Sequence, residues 1–250
     1  MADDIWERIR LRSDDRYLIL GDSGSGKSYL ADRLRVDYQQ RYNAPALIVD
    51  SKPEYAPGRD WHRKNKGWTG MKDLPDGVLV ETPDELQKHM RNHRPLTFVV
   101  QGGNEEDYPR LMAVTEAFYA DSRGKPRVIH VDEAMDFFHA NGIPKRNADI
   151  LRRTARSARA RNCAVIYCAQ RTKGFHPDIR SEMSKAAFFP MLNREDQKIA
   201  RQFGLDFEWP DEDYNFLFWT KARRRQIYGP YRLATIEPRA NAPSSSGGMR

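Results

Sequence analysis

A chain of 250 residues with 39% hydrophobic content has room for one α/β domain, and no apolar run in it approaches the roughly 18 residues that a membrane-spanning helix needs. A net charge of +7, from 42 Lys and Arg against 35 Asp and Glu, favours a polyanionic partner and leaves open a merely basic protein. Two cysteines, Cys163 and Cys168, in or beside one apolar run read as core thiols of a reducing, cytoplasmic compartment rather than as a disulfide framework or a metal site.

In chain order, residues 1–14 form a lead-in whose start, "MADDIWERIR", is acidic and mixed, unlike a signal peptide. Apolar runs then alternate with helical patterns. Strands are expected at 17–20 (YLIL), 46–49 (ALIV), 78–80 (VLV), 96–100 (LTFVV), 127–131 (RVIHV), 164–168 (AVIYC) and 186–189 (AAFF). Helices are expected near 27–41, 83–91, 108–121, 146–161 and 193–203, with Thr82-Pro83 as a cap followed by proline at the first helical position. This alternation predicts βαβ units: an α/β fold with a mainly parallel central sheet flanked by helices. The core is expected over 15–210. "NFLFWT" (215–220) and "RQIYGPYRLA" (225–234), joined by the basic turn "KARRR" (221–225), predict an antiparallel hairpin extending the same domain over 211–236. The tail, 237–250, is low in complexity and expected to be disordered.

"GDSGSGKS" (21–28) follows the first strand and opens the first helix, matching G-x-x-x-x-G-K-[ST] in full and in context. Gly21, Gly24 and Gly26 let the backbone wrap a phosphate, with Asp22, Ser23 and Ser25 between them and Tyr29 just beyond. Lys27 reaches toward the β/γ-phosphates and the Ser28 hydroxyl can ligate Mg²⁺, so ATP and Mg²⁺ are the expected cofactors. "RVIHVDEA" (127–134) delivers two acids at the C-terminal end of a strand, where ligands of open α/β sheets bind. Asp132 would hold Mg²⁺ and Glu133 would polarise an attacking water; a lone Asp-Glu after a strand can also be a helix cap beside a surface acid.

Beside these two motifs, "IVDSKPEY" (48–55) resembles the second-strand signature Asp-x-Lys-x-Glu-Tyr of the FtsK/HerA-type ATPases, through Asp50, Lys52, Glu54 and Tyr55. "ARARNCAVIYCAQR" (158–171) resembles their strand that ends in Gln-Arg, and "HPDIRSEM" and "REDQKIARQFG" resemble the loop and helix that follow. The resemblance covers roughly residues 15–205 and implies a RecA-like P-loop NTPase core. It implies that Gln170 is a polar sensor of the γ-phosphate, where the residue alone would equally suit a hydrogen bond closing the strand. It implies a homo-oligomeric ring, pentamer or hexamer, completed by an arginine from the neighbouring subunit. Arg152, Arg156 and Arg159 form one stripe at i, i+4 and i+7, beside an apolar face of Leu151, Ala155 and Ala158. Arg156 and Arg159 rank as finger candidates above Arg161 and Arg180, against the plain alternative of a solvated basic face.

No stretch is expected to form the extra barrel, anchor or winged helix of the larger members, so the chain is similar to a minimal viral DNA-packaging ATPase. Expected partners are double-stranded DNA and a portal or other anchoring protein; the expected compartment is then the host cytoplasm. A conjugation, secretion or assembly ATPase is the alternative, and a P-loop small-molecule kinase a weaker one. For DNA, "PGRDWHRKNKGW" (57–68) interleaves Arg59, Arg63, Lys64 and Lys66 with tryptophans, and the hairpin turn offers Arg223, Arg224 and Arg225. Each could equally be a solvated, charged loop.

Overall fold

The strands that carry the motifs are central in the sheet because their sequences leave no polar face. Strands β1 (Arg16–Leu20), β2 (Ala46–Asp50), β7 (Arg127–Asp132) and β8 (Cys163–Ala169) are buried almost end to end, as strands covered by helices on both faces must be. The computed structural model describes residues 2–57, 72–74, 76–91, 96–120, 124–135, 153, 156–157, 159–171, 181–195, 197, 208–212, 214–221 and 226–232. The other strands are β3 (Tyr55–Pro57), β4 (Lys72–Leu74), β5 (Gly77–Leu79), β6 (Thr97–Gln101), β9 (Lys185–Phe188), β10 (Asn215–Thr220) and β11 (Gln226–Arg232).

Nine strands form one sheet in the order β11-β10-β9-β1-β8-β7-β2-β6-β5. From β9 to β5 every pairing is parallel. The expected hairpin is present: β10 runs antiparallel to both β9 and β11. β8 lies between β1 and β7, with Leu20 level with Ala169 and Val131 level with Tyr167. That order brings three strand ends to one edge.

Alternation along the strands divides the core. Tyr17 and Ile19 face one layer, built from helices α1 (Ala2–Ile9) and α2 (Lys27–Tyr42); Leu18 and Leu20 face the other, built from α3 (Pro83–Met90) and α4 (Tyr108–Ala120). α2 buries Leu30, Ala31, Leu34 and Tyr38 on the sheet, at helical spacing. Each such leucine contributes about 1.5–3 kcal/mol by leaving water. α2 stops at Asn43, whose left-handed backbone (φ 48°) lets its N–H donate to Gln39 O. α3 starts as expected: the Thr82 hydroxyl accepts from the Glu85 N–H at 3.2 Å, with Pro83 in the first turn.

Three elements differ from the sequence expectation. The 1–14 lead-in holds a helix, α1, which docks through Trp6 and Ile9; the Trp6 indole donates to Asp37 Oδ1 and lies under the Arg33 guanidinium. β3 and β4 form a small parallel pair of their own, too short to show periodicity. A 3-10 turn, Arg159–Arg161, leads directly into β8. The expected helices near 146–161 and 193–203 fall mostly outside the described residues, as does the 237–250 tail. No described helix is long and apolar enough to cross a membrane.

Candidate functional site

Gly21, directly after β1, is required by close approach. A Cβ there would sit 2.5 Å from Phe189 Cβ and 2.8 Å from Ser25 Oγ. The loop is strapped to its surroundings by its own polar groups. The Asp22 N–H donates to Pro190 O (2.9 Å), the Leu192 N–H donates to Asp22 Oδ2 (2.7 Å), and the Tyr214 N–H donates to Ser25 O (3.2 Å). Asp22 therefore anchors the loop to the segment after β9.

Gly26 (φ 107°) caps α2 without a side-chain hydrogen bond, and the buried Ser25 hydroxyl has no hydrogen-bond partner among the described residues. Uncapped N–H groups and an unmatched hydroxyl at a helix N-terminus fit a bound anion. Lys27 curls back on its own loop: its ammonium donates to Asp22 O at 2.6 Å. Burial pulls the Lys27 ammonium below its ordinary range, while Cys168, Glu133, Asp132 and Asp22 pull it up. Tyr29 points elsewhere; it is 57% exposed, under the Arg33 guanidinium.

Across the cleft, β7 ends at the buried Asp132. Glu133 follows with φ 51°, a left-handed conformation that is strained for a residue with a Cβ. The turn is held because the Ala134 N–H donates to Cys168 O at 2.6 Å. Glu133 Oε1 accepts from the Gln170 N–H at 3.4 Å, and Glu133 Oε2 lies 3.5 Å from Lys52 Nζ. Ser23, Gly24, Lys27, Ser28, Asp132, Glu133 and Gln170 line one cavity of about 140 Å³. Ser28 and Asp132 supply two oxygen donors for a hard divalent cation, of the type Mg²⁺ prefers.

The 50–55 segment has a clear physical role. Asp50 Oδ2 accepts from the Glu54 N–H (2.8 Å), the Tyr55 N–H (3.0 Å) and Gln101 Nε2 (3.0 Å), folding the chain into a tight turn at the end of β2. Burial raises the Asp50 carboxyl above the usual carboxylate range; the Gln101 and Tyr55 hydrogen bonds oppose this and Asp132 adds to it. The turn aims Lys52 and Glu54 into the cavity. Tyr55 is buried, and its hydroxyl donates to Asp32 Oδ1 at 3.4 Å.

No family model and no curated protein matches the sequence. Solved structures do match. The genome packaging NTPase B204 from Sulfolobus turreted icosahedral virus 2, in complex with AMP, superposes with a TM-score of 0.63 over 88% of this chain and 100% of that one, at 15% identity. VirB4 of Thermoanaerobacter pseudethanolicus gives 0.56 over 86% and 89%, at 13% identity. The pCW3 conjugation coupling protein TcpA gives 0.51 at 14% identity; 90% of this chain covers 61% of that protein. The chain shares the fold of these proteins, a mainly parallel sheet flanked by helices with antiparallel strands at its C-terminal edge.

Within this fold, the described stretch that carries Arg156 and leads into β8 lies far from the cavity. β8 starts at Cys163 and Gln170 follows its other end, so the Arg159–Arg161 turn is about 20 Å from the cavity along the strand. Ser157, beside Arg156, hydrogen-bonds the Tyr119 hydroxyl at the end of α4; Arg153 pairs with Glu116, and the Arg161 guanidinium covers the Tyr119 ring at 5.0 Å. The Arg156 side chain is exposed. Arg59, Arg63, Lys64, Lys66, Arg152, Arg180, Arg223, Arg224 and Arg225 lie outside the described residues. Lys52, which the sequence offered only through the Asp-x-Lys-x-Glu-Tyr resemblance, lines the cavity beside Glu133.

Proposed function

We propose that this chain hydrolyses ATP to move double-stranded DNA, as one subunit of a homo-oligomeric viral genome-packaging ring. One observation carries the reading: the Gly21–Ser28 loop, the Asp132-Glu133 edge and Gln170 share one cavity because β8 separates β1 from β7. An acid and an amide facing a phosphate loop suit water, rather than a sugar or nucleoside hydroxyl, as the acceptor.

The loop N–H groups and the start of α2 would hold the β- and γ-phosphates, with Lys27 released from Asp22 O to pair with them. Ser28 and Asp132 would hold Mg²⁺, whose charge, when bound, offsets that of the phosphate oxygens. Glu133 would orient a water and take its proton at a carboxylate oxygen. Gln170, whose N–H already touches Glu133, would register the γ-phosphate with its side-chain amide. Arg156 or Arg159, remote from the home cavity, would complete the cavity of the next subunit. The basic segments around Arg59, Arg63, Lys64, Lys66 and Arg223–Arg225 would meet DNA phosphates. A portal-like partner would anchor the ring.

The near-complete overlap with the whole of a packaging NTPase supports packaging over other motor work. The likeness to TcpA and VirB4 supports a second reading, a conjugation or secretion ATPase with the same site chemistry. ATP hydrolysis measured with and without duplex DNA, across protein concentration, tests both. Stimulation by DNA is expected. Hydrolysis indifferent to DNA would favour a motor that moves protein, and phosphate transfer to a nucleoside in place of water would refute the motor reading.

A further inference from the structure

Beneath the cavity, two neighbouring strands bring together three buried side chains with metal-binding atoms. His130 and Asp132, two residues apart on β7, share a face; Cys168, on β8, lies beside them. One ligand atom from each lies within 4.8 Å of the others, and all three residues are buried.

The sulfur–nitrogen separation is that of a coordination shell. Cys168 Sγ and His130 Nε2 are 3.6 Å apart. Zinc bonds of about 2.3 Å to sulfur and 2.0–2.1 Å to nitrogen, at a tetrahedral angle, place those two atoms about 3.6 Å apart. The other nitrogen of the same ring, Nδ1, lies 3.8 Å from Asp32 Oδ1, just beyond hydrogen-bond distance. A sub-ångström approach of that carboxylate would make the hydrogen bond that fixes the tautomer of metal-bound histidines. Tyr55 packs edge-on against the ring with centroids 6.1 Å apart, which helps hold its orientation.

A thiol–imidazole hydrogen bond alone would account for the Cys168–His130 pair. It would not account for a third donor, Asp132, within 4.8 Å of both. The group is also accessible, since Cys168 and Asp132 both line the cavity. The expectation that Cys168 is only a core thiol misses this because the two softer ligands stand 38 residues apart on different strands.

We propose that Cys168, His130 and Asp132 form a binding site for a soft divalent transition ion of the zinc class, open to the cavity at its fourth position. Binding takes a thiolate and a neutral imidazole, so the Cys168 proton passes to solvent. Sulfur and imidazole select such an ion over Mg²⁺, which takes oxygen ligands. Because Asp132 cannot serve both ions, zinc in this site blocks the Mg²⁺-dependent reaction. The binding stands on the ligand geometry; the inhibition rests on the reading of Asp132 as the Mg²⁺ residue.

The probe is Co²⁺ added to the full chain in chelator-free buffer. The expected result is a thiolate-to-cobalt charge-transfer band with the strong visible bands of tetrahedral cobalt, both abolished when Zn²⁺ displaces the probe. Cys168→Ser should lose the charge-transfer band, whereas Cys163→Ser, at the opposite end of β8, should keep it. Asp32→Asn should retain the spectrum but weaken zinc binding roughly 10–100-fold. No charge-transfer band in the wild type, or one that survives Cys168→Ser, overturns the site. In hydrolysis assays zinc should slow the wild type, with relief by added Mg²⁺. Equal slowing of the wild type and Cys168→Ser overturns the inhibitory role. A protein that never hydrolyses ATP yet gives the cobalt spectrum refutes the ATPase reading and upholds the metal site.

Discussion

Lys52 and Glu133 meet across the cavity at 3.5 Å, joining the turn after β2 to the turn after β7. The Lys52 side chain is 49% exposed, so the pair contributes no more than about 1 kcal/mol to stability. Its effect falls instead on Glu133, whose carboxylate it holds toward the turn after β2. Lys52→Ala should leave the urea midpoint nearly unchanged and raise hydrolysis in the absence of DNA. Slower hydrolysis in this variant would show that Lys52 contacts nucleotide rather than restraining Glu133.

Lys27→Ala and Glu133→Gln should separate binding from chemistry. Lys27→Ala removes the ammonium that we propose pairs with the phosphates and should abolish tight binding of a fluorescent ATP analogue. Glu133→Gln should bind that analogue normally and lose about 10²–10⁴-fold in turnover, as expected on removing a general base. Near-wild-type turnover in Glu133→Gln would move the water-activating role to Glu54, which also lines the cavity.

Asp50 gives a pH prediction with a definite sign. Burial raises its carboxyl in the folded protein above the ordinary value of 3.8, so the folded state binds its proton more tightly than the unfolded state does. Its contribution to stability is therefore fully present below the unfolded pKa and is lost as pH rises through the raised folded value. Asp50→Asn, which keeps an acceptor oxygen for the 54–55 turn, should remove this slope. Urea midpoints of the two proteins measured from acid to neutral pH should diverge in the variant's favour; parallel curves would place the Asp50 titration at its ordinary position.

Mixing tests the trans arginine. Arg156→Ala or Arg159→Ala should bind ATP but hydrolyse poorly, and hydrolysis per wild-type subunit should rise with protein concentration. Combined with Glu133→Gln, the arginine variant should recover partial activity, since some interfaces join an intact Glu133 to an intact neighbouring arginine. No recovery, with co-assembly shown by light scattering, would assign the arginine to its own subunit or to structure.

Features that depend on adjacent residues were legible in the chain itself. The Gly21–Ser28 loop is a contiguous backbone shape between a strand and a helix, the Asp132-Glu133 edge is two consecutive residues, and Thr82-Pro83 is a local cap. The alternation of apolar runs and helical patterns was enough to establish a parallel α/β sheet with a C-terminal hairpin. The role of Asp22 was not legible, because its partner, Leu192, lies 170 residues away. Nor was the docking of α1, which depends on Trp6 finding Asp37 and Arg33 on α2.

Only the tertiary structure decided that β8 lies between β1 and β7, and with it where Gln170 stands, which acid Lys52 meets and that Cys168 lies against His130. The reason is physical. Strands buried on both faces have nearly interchangeable apolar sequences, so their order is set by how α1 and α2 on one face, and α3 and α4 on the other, can cover them together. A site built from the ends of several such strands inherits its geometry from that packing rather than from the spacing of its residues along the chain.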